Sequence, residues 1–191
     1  MLRNLCAASI ALFLLCSCDS GDGAGPNTQA RKAPEAAKAR LTVTSSAFKE
    51  GGEIPSKYTC DGANVSPSVA WKPTPKGARS FALICDDPDA PRGTWVHWVA
   101  FDIPPSVKGL PESVPPLPRL AVGGKHGTND FRTLGYGGPC PPSGTHRYFF
   151  RVYALDRTLG LEPGITKARL VKAIEGHVIG EGRLMGRYAR Q

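Results

Sequence analysis

The 191-residue chain has no run of Lys and Arg interleaved with aromatics, although 24 basic against 16 acidic residues give it a net charge of +8. Lys57, Lys72, Lys76, Arg79, Arg92, Lys108 and Arg119 stand singly. Charge scattered in this way is a solvated surface with a mild attraction for anions, and it argues against nucleic acid as a partner. The chain also lacks a Gly-x-Ser-x-Gly elbow, a His-Glu-x-x-His motif and a close histidine pair on a helical pattern. Those absences remove the common serine-hydrolase and zinc-protease layouts. The expectation is therefore no enzyme, no catalytic set, no metal and no cofactor. A weak hydrolase, or a metal held by His and Asp, stays as a third reading. No internal repeat is present, and the apolar stretch at residues 5–15 is too short to span a bilayer as a stable anchor.

That stretch, behind Arg3, has the make-up of a targeting segment. Leu15-Cys16-Ser17-Cys18 resembles a bacterial lipoprotein signal in which Cys18 becomes the lipid-bearing first residue. Residues 1–18 are read as that signal, and residues 19–40 as a flexible tether without aromatics or apolar period. The mature protein is expected in the cell envelope, lipid-anchored and facing the periplasm, or soluble in the periplasm if Cys18 carries no lipid. Disulfides persist in such a compartment. With Cys6 and Cys16 in the signal and Cys18 carrying lipid, Cys60, Cys85 and Cys140 remain. Three cysteines allow at most one bridge. Cys60 and Cys140 lie in Gly/Pro-rich loops whereas Cys85 ends an apolar run, so Cys60–Cys140 is the expected pair if one forms.

From residue 41 the pattern is that of strands separated by long Pro/Gly-rich connections. Alternation or β-rich composition marks residues 41–44, 65–71, 80–86, 95–102, 147–155 and 182–188, with one short strand near 120–122. Within 95–102, alternation puts Trp95, His97, Val99 and Phe101 on one face and Val96, Trp98 and Ala100 on the other. Thr166 reads as the N-cap of the one clear helix, with Leu170, Ala173, Ile174 and His177 on one face and Gly176 near its end. This is a mainly β protein, an antiparallel sandwich of Greek-key type with one or two peripheral helices.

Three clusters carry chemistry. They are Asp87-Pro-Asp89-Ala-Pro91, Trp95-Val-His97, and the stretch 135–148, Gly-Tyr-Gly-Gly-Pro-Cys-Pro-Pro-Ser-Gly-Thr-His-Arg-Tyr. The last has a backbone committed to one path by glycine and proline, and it delivers His146 and Tyr148 at the mouth of a strand. Brought together, the clusters would make a small pocket of two imidazoles, carboxylates, a phenol and backbone N–H groups able to hold an anion. Taken singly each is duller: an Asp-Pro turn, a core histidine, a stiff loop. His126 and His177 read as surface or packing residues.

In this order, the clusters resemble the phosphatidylethanolamine-binding protein family, and within it the bacterial Raf kinase inhibitor-like, YbhB/YbcL-type branch. The resemblance covers residues 41–188 and includes Cys60-Asp-Gly62 with Asn64-Val-Ser-Pro67. It implies a domain over 41–191 whose pocket accepts a phosphate-bearing small molecule or a phospholipid headgroup. Asp87, His97, His146 and Tyr148 would line it, with Asp89 beside it and the backbone near Gly138 and Cys140 closing it. Cys140 stands where eukaryotic members tend to have glycine. The resemblance also implies a homodimer. A protein target, reached through the rim loops at 103–118 and 135–144, is the alternative function; the kinase contacts of eukaryotic members are not carried over.

Overall fold

The structure, a computed structural model, describes residues 37–190; the signal segment, Cys18 and the tether up to residue 36 lie outside the described residues. In chain order the elements are β1 (Ala39–Arg40), β2 (Thr42–Thr44), β3 (Val69–Lys72), β4 (Ser80–Asp87), β5 (Trp95–Ile103), β6 (Gly109–Leu110), β7 (Lys125–His126), β8 (His146–Leu155), α1 (Lys167–Ile174) and β9 (Val178–Tyr188). A single 3₁₀ turn covers Ser56–Tyr58.

The large sheet runs β1-β9-β8-β4-β5-β7 and the small one β2-β3-β6. Pairings between the named strands are antiparallel except β1 with β9, where Ala39 meets Gly180 and Arg40 meets Glu181; the isolated bridge of Glu53 with Arg187 is also parallel. The sheet thus begins two residues inside the stretch read as tether, because β9 offers a free edge there.

Between the sheets lies the main core. Trp71 of β3 packs on Phe81 of β4 at 5.4 Å between ring centroids, and Phe48 on Phe150 at 5.7 Å. Leu83, Cys85, Trp98, Ala100, Tyr148 and Phe150 complete it. Ala82, Ile84, Val99 and Phe101 face the other way, onto Leu170 and Ile174 of α1. Strand β4 is buried on both faces, which is why its sequence is a continuous apolar run rather than an alternation. Each large side chain so buried contributes about 1.5–3 kcal/mol.

Two local expectations are corrected. Residues 120–124 form a turn, with the Gly123 N–H donating to the Leu120 carbonyl (3.0 Å) and both Gly123 and Gly124 at positive φ. The short strand follows it, at Lys125–His126. Helix α1 is capped by Thr166, whose side chain accepts from the Arg169 N–H, and stops at Ile174. His177 lies beyond the helix, past Gly176 at φ 77°, and its Nδ1 meets Asp156 at 2.9 Å.

Candidate functional site

A bulge in β5 builds the site's first wall. Cys85 pairs with Trp98 but Asp86 pairs with Val96, so β5 carries one residue more than β4 at His97. The extra residue breaks the alternation, and two successive side chains turn the same way. His97 packs edge-on against Tyr148 at 5.1 Å, and Trp98 against Tyr136 at 5.6 Å. Val99 and Phe101 face the opposite side, toward α1. The face expected from strict alternation, His97 with Val99 and Phe101, does not form.

The Gly/Pro loop supplies the second wall, and several bonds hold it. Gly137 donates its N–H to the His97 carbonyl (2.9 Å), and its own carbonyl accepts from His97 Nδ1 (2.6 Å). Gly138 donates to Asn64 Oδ1 at 2.8 Å. A Cβ at Gly138 would stand 2.5 Å from both Asn64 Oδ1 and the Tyr58 carbonyl oxygen, so only glycine fits. The Tyr136 hydroxyl donates to the Tyr58 carbonyl (2.8 Å), and the Cys60 N–H to the Pro139 carbonyl (3.0 Å). Cys60 and Cys140 are joined by a disulfide that closes 80 residues of chain. Asp61, next in line, accepts from the Tyr188 hydroxyl (2.8 Å) and Arg190 Nε (3.0 Å).

The third wall comes from the ends of β4 and β8. His146 Nδ1 donates to Asp87 Oδ2 at 2.7 Å, and the Asp89 N–H donates to Asp87 Oδ1 at 2.8 Å. Both carboxylate oxygens are thereby used, and the imidazole is left with Nε2 as its remaining polar atom. Asp89 points away from this pair. It accepts from the Arg147 N–H (2.9 Å), Nε (2.8 Å) and Nη2 (2.6 Å), a two-pronged grip that holds its carboxyl down at about 2.

The walls enclose a cavity of about 200 Å³ lined by Asp87, Ala90, Pro91, Trp95, His97, Phe131, Cys140, Pro141, Pro142 and His146. Of the residues expected from sequence, Asp87, His97, Cys140 and His146 meet here. The others act from behind. Tyr148 lies under His97, Asp89 secures Arg147, and Gly138 fixes the loop. Burial is the main cause that pushes the His97 imidazole below its ordinary value, against the pull of the Gly137 carbonyl and the Asp87 charge. His97 is therefore neutral near pH 7, donating from Nδ1 and accepting at Nε2. Burial, and after it the charge of nearby Asp87, raises the Tyr148 phenol far above its usual value, and its buried hydroxyl makes no hydrogen bond of standard geometry among the described residues.

Sequence reasoning missed Phe131. It sits in a polar stretch of the long connection, with nothing periodic to mark it. Asp130 brings it in, through a Val96 N–H to Asp130 Oδ2 bond (2.7 Å) and an Asp130 N–H to Val96 carbonyl bond (3.0 Å). Phe131 then stands edge-on to His97 (5.4 Å) and Trp95 (5.5 Å), and it and Trp95 keep 41% and 36% of their surface exposed. A polar floor of ring nitrogens and one carboxylate lies beneath an apolar rim of Trp, Phe and Pro. Among the described residues no group of three or more His, Cys, Asp and Glu is placed to hold a metal ion.

The family model described as phosphatidylethanolamine-binding protein matches residues 44–189. A UPF0098 protein of Methanothermobacter thermautotrophicus is 57% identical over 150 residues, covering 78% of this chain and 99% of the relative. A UPF0098 protein of Aquifex aeolicus is 47% identical over 153 residues, with 78% and 89% covered. Among solved structures, Escherichia coli YbcL, described as a member of the mammalian PEBP family, is 32% identical with a TM-score of 0.73, over 80% of this chain and 100% of YbcL. A putative phosphatidylethanolamine-binding protein homolog of Chlamydia trachomatis is 38% identical with a TM-score of 0.72, over 81% and 100%.

Proposed function

The chain belongs to the phosphatidylethanolamine-binding protein family, and from that premise we propose that it is a non-enzymatic binder of phosphate-bearing molecules in the bacterial envelope, taking either a small phosphate ester or a phospholipid headgroup. The observation that carries this reading is the pair of imidazoles on the cavity wall, one tied to Asp87 and one to the Gly137 carbonyl. Both rings are held by their Nδ1 atoms, so each has its Nε2 left for a guest. Neutral His97 accepts there, which suits the P–OH of a monoprotonated phosphate monoester or, for a phosphodiester headgroup, an N–H of its ammonium group, while the phosphate oxygens face His146. A volume of about 200 Å³ fits a headgroup and not a whole lipid, whose chains would leave past Trp95 and Phe131. Binding is favoured over catalysis by the state of the nearest nucleophiles. Cys140 is bonded to Cys60, and the Tyr148 phenol stays protonated because burial raises it.

Isothermal titration with inorganic phosphate and phosphoethanolamine tests the proposal. Saturable one-to-one heat, lost in His146→Ala, is the expected result; no heat from either probe, or equal heat from the variant, overturns it. The exposed pair Trp95–Phe131 supports a second reading, a protein inhibitor that uses the cavity rim on a protease or kinase. A partner captured by the wild type and lost in Trp95→Ala, Phe131→Ala, with phosphate binding intact, would favour it.

A further inference from the structure

The side of the β8–β9 ribbon that faces away from the main core is set apart from the rest of the molecule by its arginines. On β8, alternation presents Arg147, Phe149, Arg151 and Tyr153 there, and the register sets them opposite Arg187, Met185, Arg183 and Glu181 of β9. Two arginine pairs, Arg147 with Arg187 and Arg151 with Arg183, are thus directly opposed, an arrangement that works against sheet stability. Phe149 reconciles them in part. The guanidinium carbons of Arg147, Arg151 and Arg183 lie 5.8, 4.8 and 5.2 Å from its ring centroid.

Counter-charge is incomplete. Arg147 has Asp89, but Arg151 has only Asp86 at 3.6 Å, which Lys167 also claims. Among the described residues Arg183 has no carboxylate within ion-pair distance, and Arg187 spends its Nε on the Gly51 carbonyl (2.8 Å). Helix α1 packs over β5, with Tyr153 at the margin of its cluster, and Arg147, Arg183 and Arg187 stay exposed beyond it. Beside it opens a wide depression of about 810 Å³, with Arg40, Arg151, Tyr153 and Arg183 among its walls. Glu50 and Glu181 line it too, but Glu50 Oε2 already accepts from the Met185 N–H (2.8 Å).

We propose that this arginine face is a docking surface for an anionic lipid bilayer. Charge complementarity is one argument. The other is where the described chain begins: β1 pairs along β9 at Gly180 and Glu181, at the edge of this same face. Twenty residues separate Cys18 from Ala39, so a lipid on Cys18 would hold the domain close to a membrane surface. The proposal rests on the envelope reading above and is independent of what the cavity binds.

The test is vesicle co-sedimentation of the full chain carrying Cys18→Ser, so that no attached lipid contributes. Phosphatidylcholine vesicles set the baseline, including any uptake through residues 1–17. With about 30% phosphatidylglycerol at low salt, uptake should exceed that baseline by about tenfold, given the attraction of an anionic surface for each arginine. The excess should vanish in Arg151→Gln, Arg183→Gln and in about 0.5 M salt, where exposed charges are screened. It should survive in His146→Ala. Removing both members of the Arg151–Arg183 pair relieves the repulsion between them, so the double variant should melt no lower than the wild type. Equal uptake by both vesicle types, or an excess that persists in the double variant, overturns the proposal. An excess lost in His146→Ala with the arginines intact also overturns it, by assigning the lipid to the cavity.

Discussion

His146 Nδ1 stands 2.7 Å from Asp87 Oδ2, although 59 residues separate the two in the chain. Their bond orients an imidazole toward the cavity and uses a carboxylate that would otherwise repel an anion. Asp87→Asn keeps the shape and removes the charge from that bond. Hydrogen bonds to charged groups contribute about 1.5–3 kcal/mol, so phosphate affinity should fall by about tenfold or more in calorimetry. An unchanged dissociation constant would detach Asp87 from the site.

Acid should weaken the fold through His97 and His126, both held below the ordinary imidazole value of 6.5, chiefly by burial. In the unfolded chain these rings take a proton as pH falls through that value, whereas in the fold they resist. Their contribution is therefore complete above pH 6.5 and is lost as pH drops below it. Melting temperature should decline from pH 7 toward pH 5, and less steeply in His97→Gln. A pH-independent melting curve over that interval would contradict the burial argument. Phe131→Ala should uncover the His97 ring and raise its titration midpoint, read by NMR.

Asp89, held down at about 2 by Arg147, acts further into acid. Its share of stability is present above the ordinary 3.8 and disappears as pH falls toward 2. Arg147→Gln should shrink that low-pH part of the profile, since the backbone N–H at 147 still donates to Asp89, and leave the part near pH 6 as it was. Loss of both parts together would point to wholesale misfolding of the variant.

The Cys60–Cys140 bridge should contribute about 2–4 kcal/mol, as closure of a long loop does. Cys60→Ser, Cys140→Ser is expected to lower stability by that amount and to loosen the cavity wall that Cys140 forms. Urea titration and phosphate calorimetry read the two effects. Cys85, buried and with its thiol pushed up by that burial, should resist alkylation until the protein unfolds. Native-state labelling of Cys85 would mean that the core opens more readily than its packing indicates.

Gly138→Ala should be the most damaging small change in the loop. Its methyl would meet the Tyr58 carbonyl oxygen and Asn64 Oδ1 at 2.5 Å, and the first of these belongs to the backbone. A loss of about 1–3 kcal/mol is expected from such overpacking, with phosphate affinity falling alongside. A variant as stable as the wild type would show that the 58–64 segment yields freely.

Strands β4, β5 and β8 were legible because apolar runs and alternation report burial directly. Asp87–Pro91 and the 135–148 stretch marked two of the cavity's walls because Asp-Pro turns and Gly/Pro loops limit the backbone locally. His97 could be named as a site residue but not oriented, since alternation assumes an unbroken ladder and the bulge appears only once β4 and β5 are paired. Phe131 stayed hidden because a bond between Asp130 and Val96, 34 residues apart, puts it in place. Strand β1 escaped notice because two residues carry no period, and its existence depends on the edge that β9 leaves open. The opposed arginines were likewise invisible: Arg147 and Arg151 alternate in sequence, but Arg183 and Arg187 become their partners only through register.

Strand β8 sends His146, Tyr148 and Phe150 inward and Arg147, Phe149 and Arg151 outward. A slip of one residue in its pairing would drive two guanidinium groups into the space between the sheets and turn a tyrosine and a phenylalanine out to water. Single-residue insertions or deletions within 146–152 should therefore be almost absent from functional variants, while the turn around Gly144, where an added Cβ meets nothing, should tolerate changes of length.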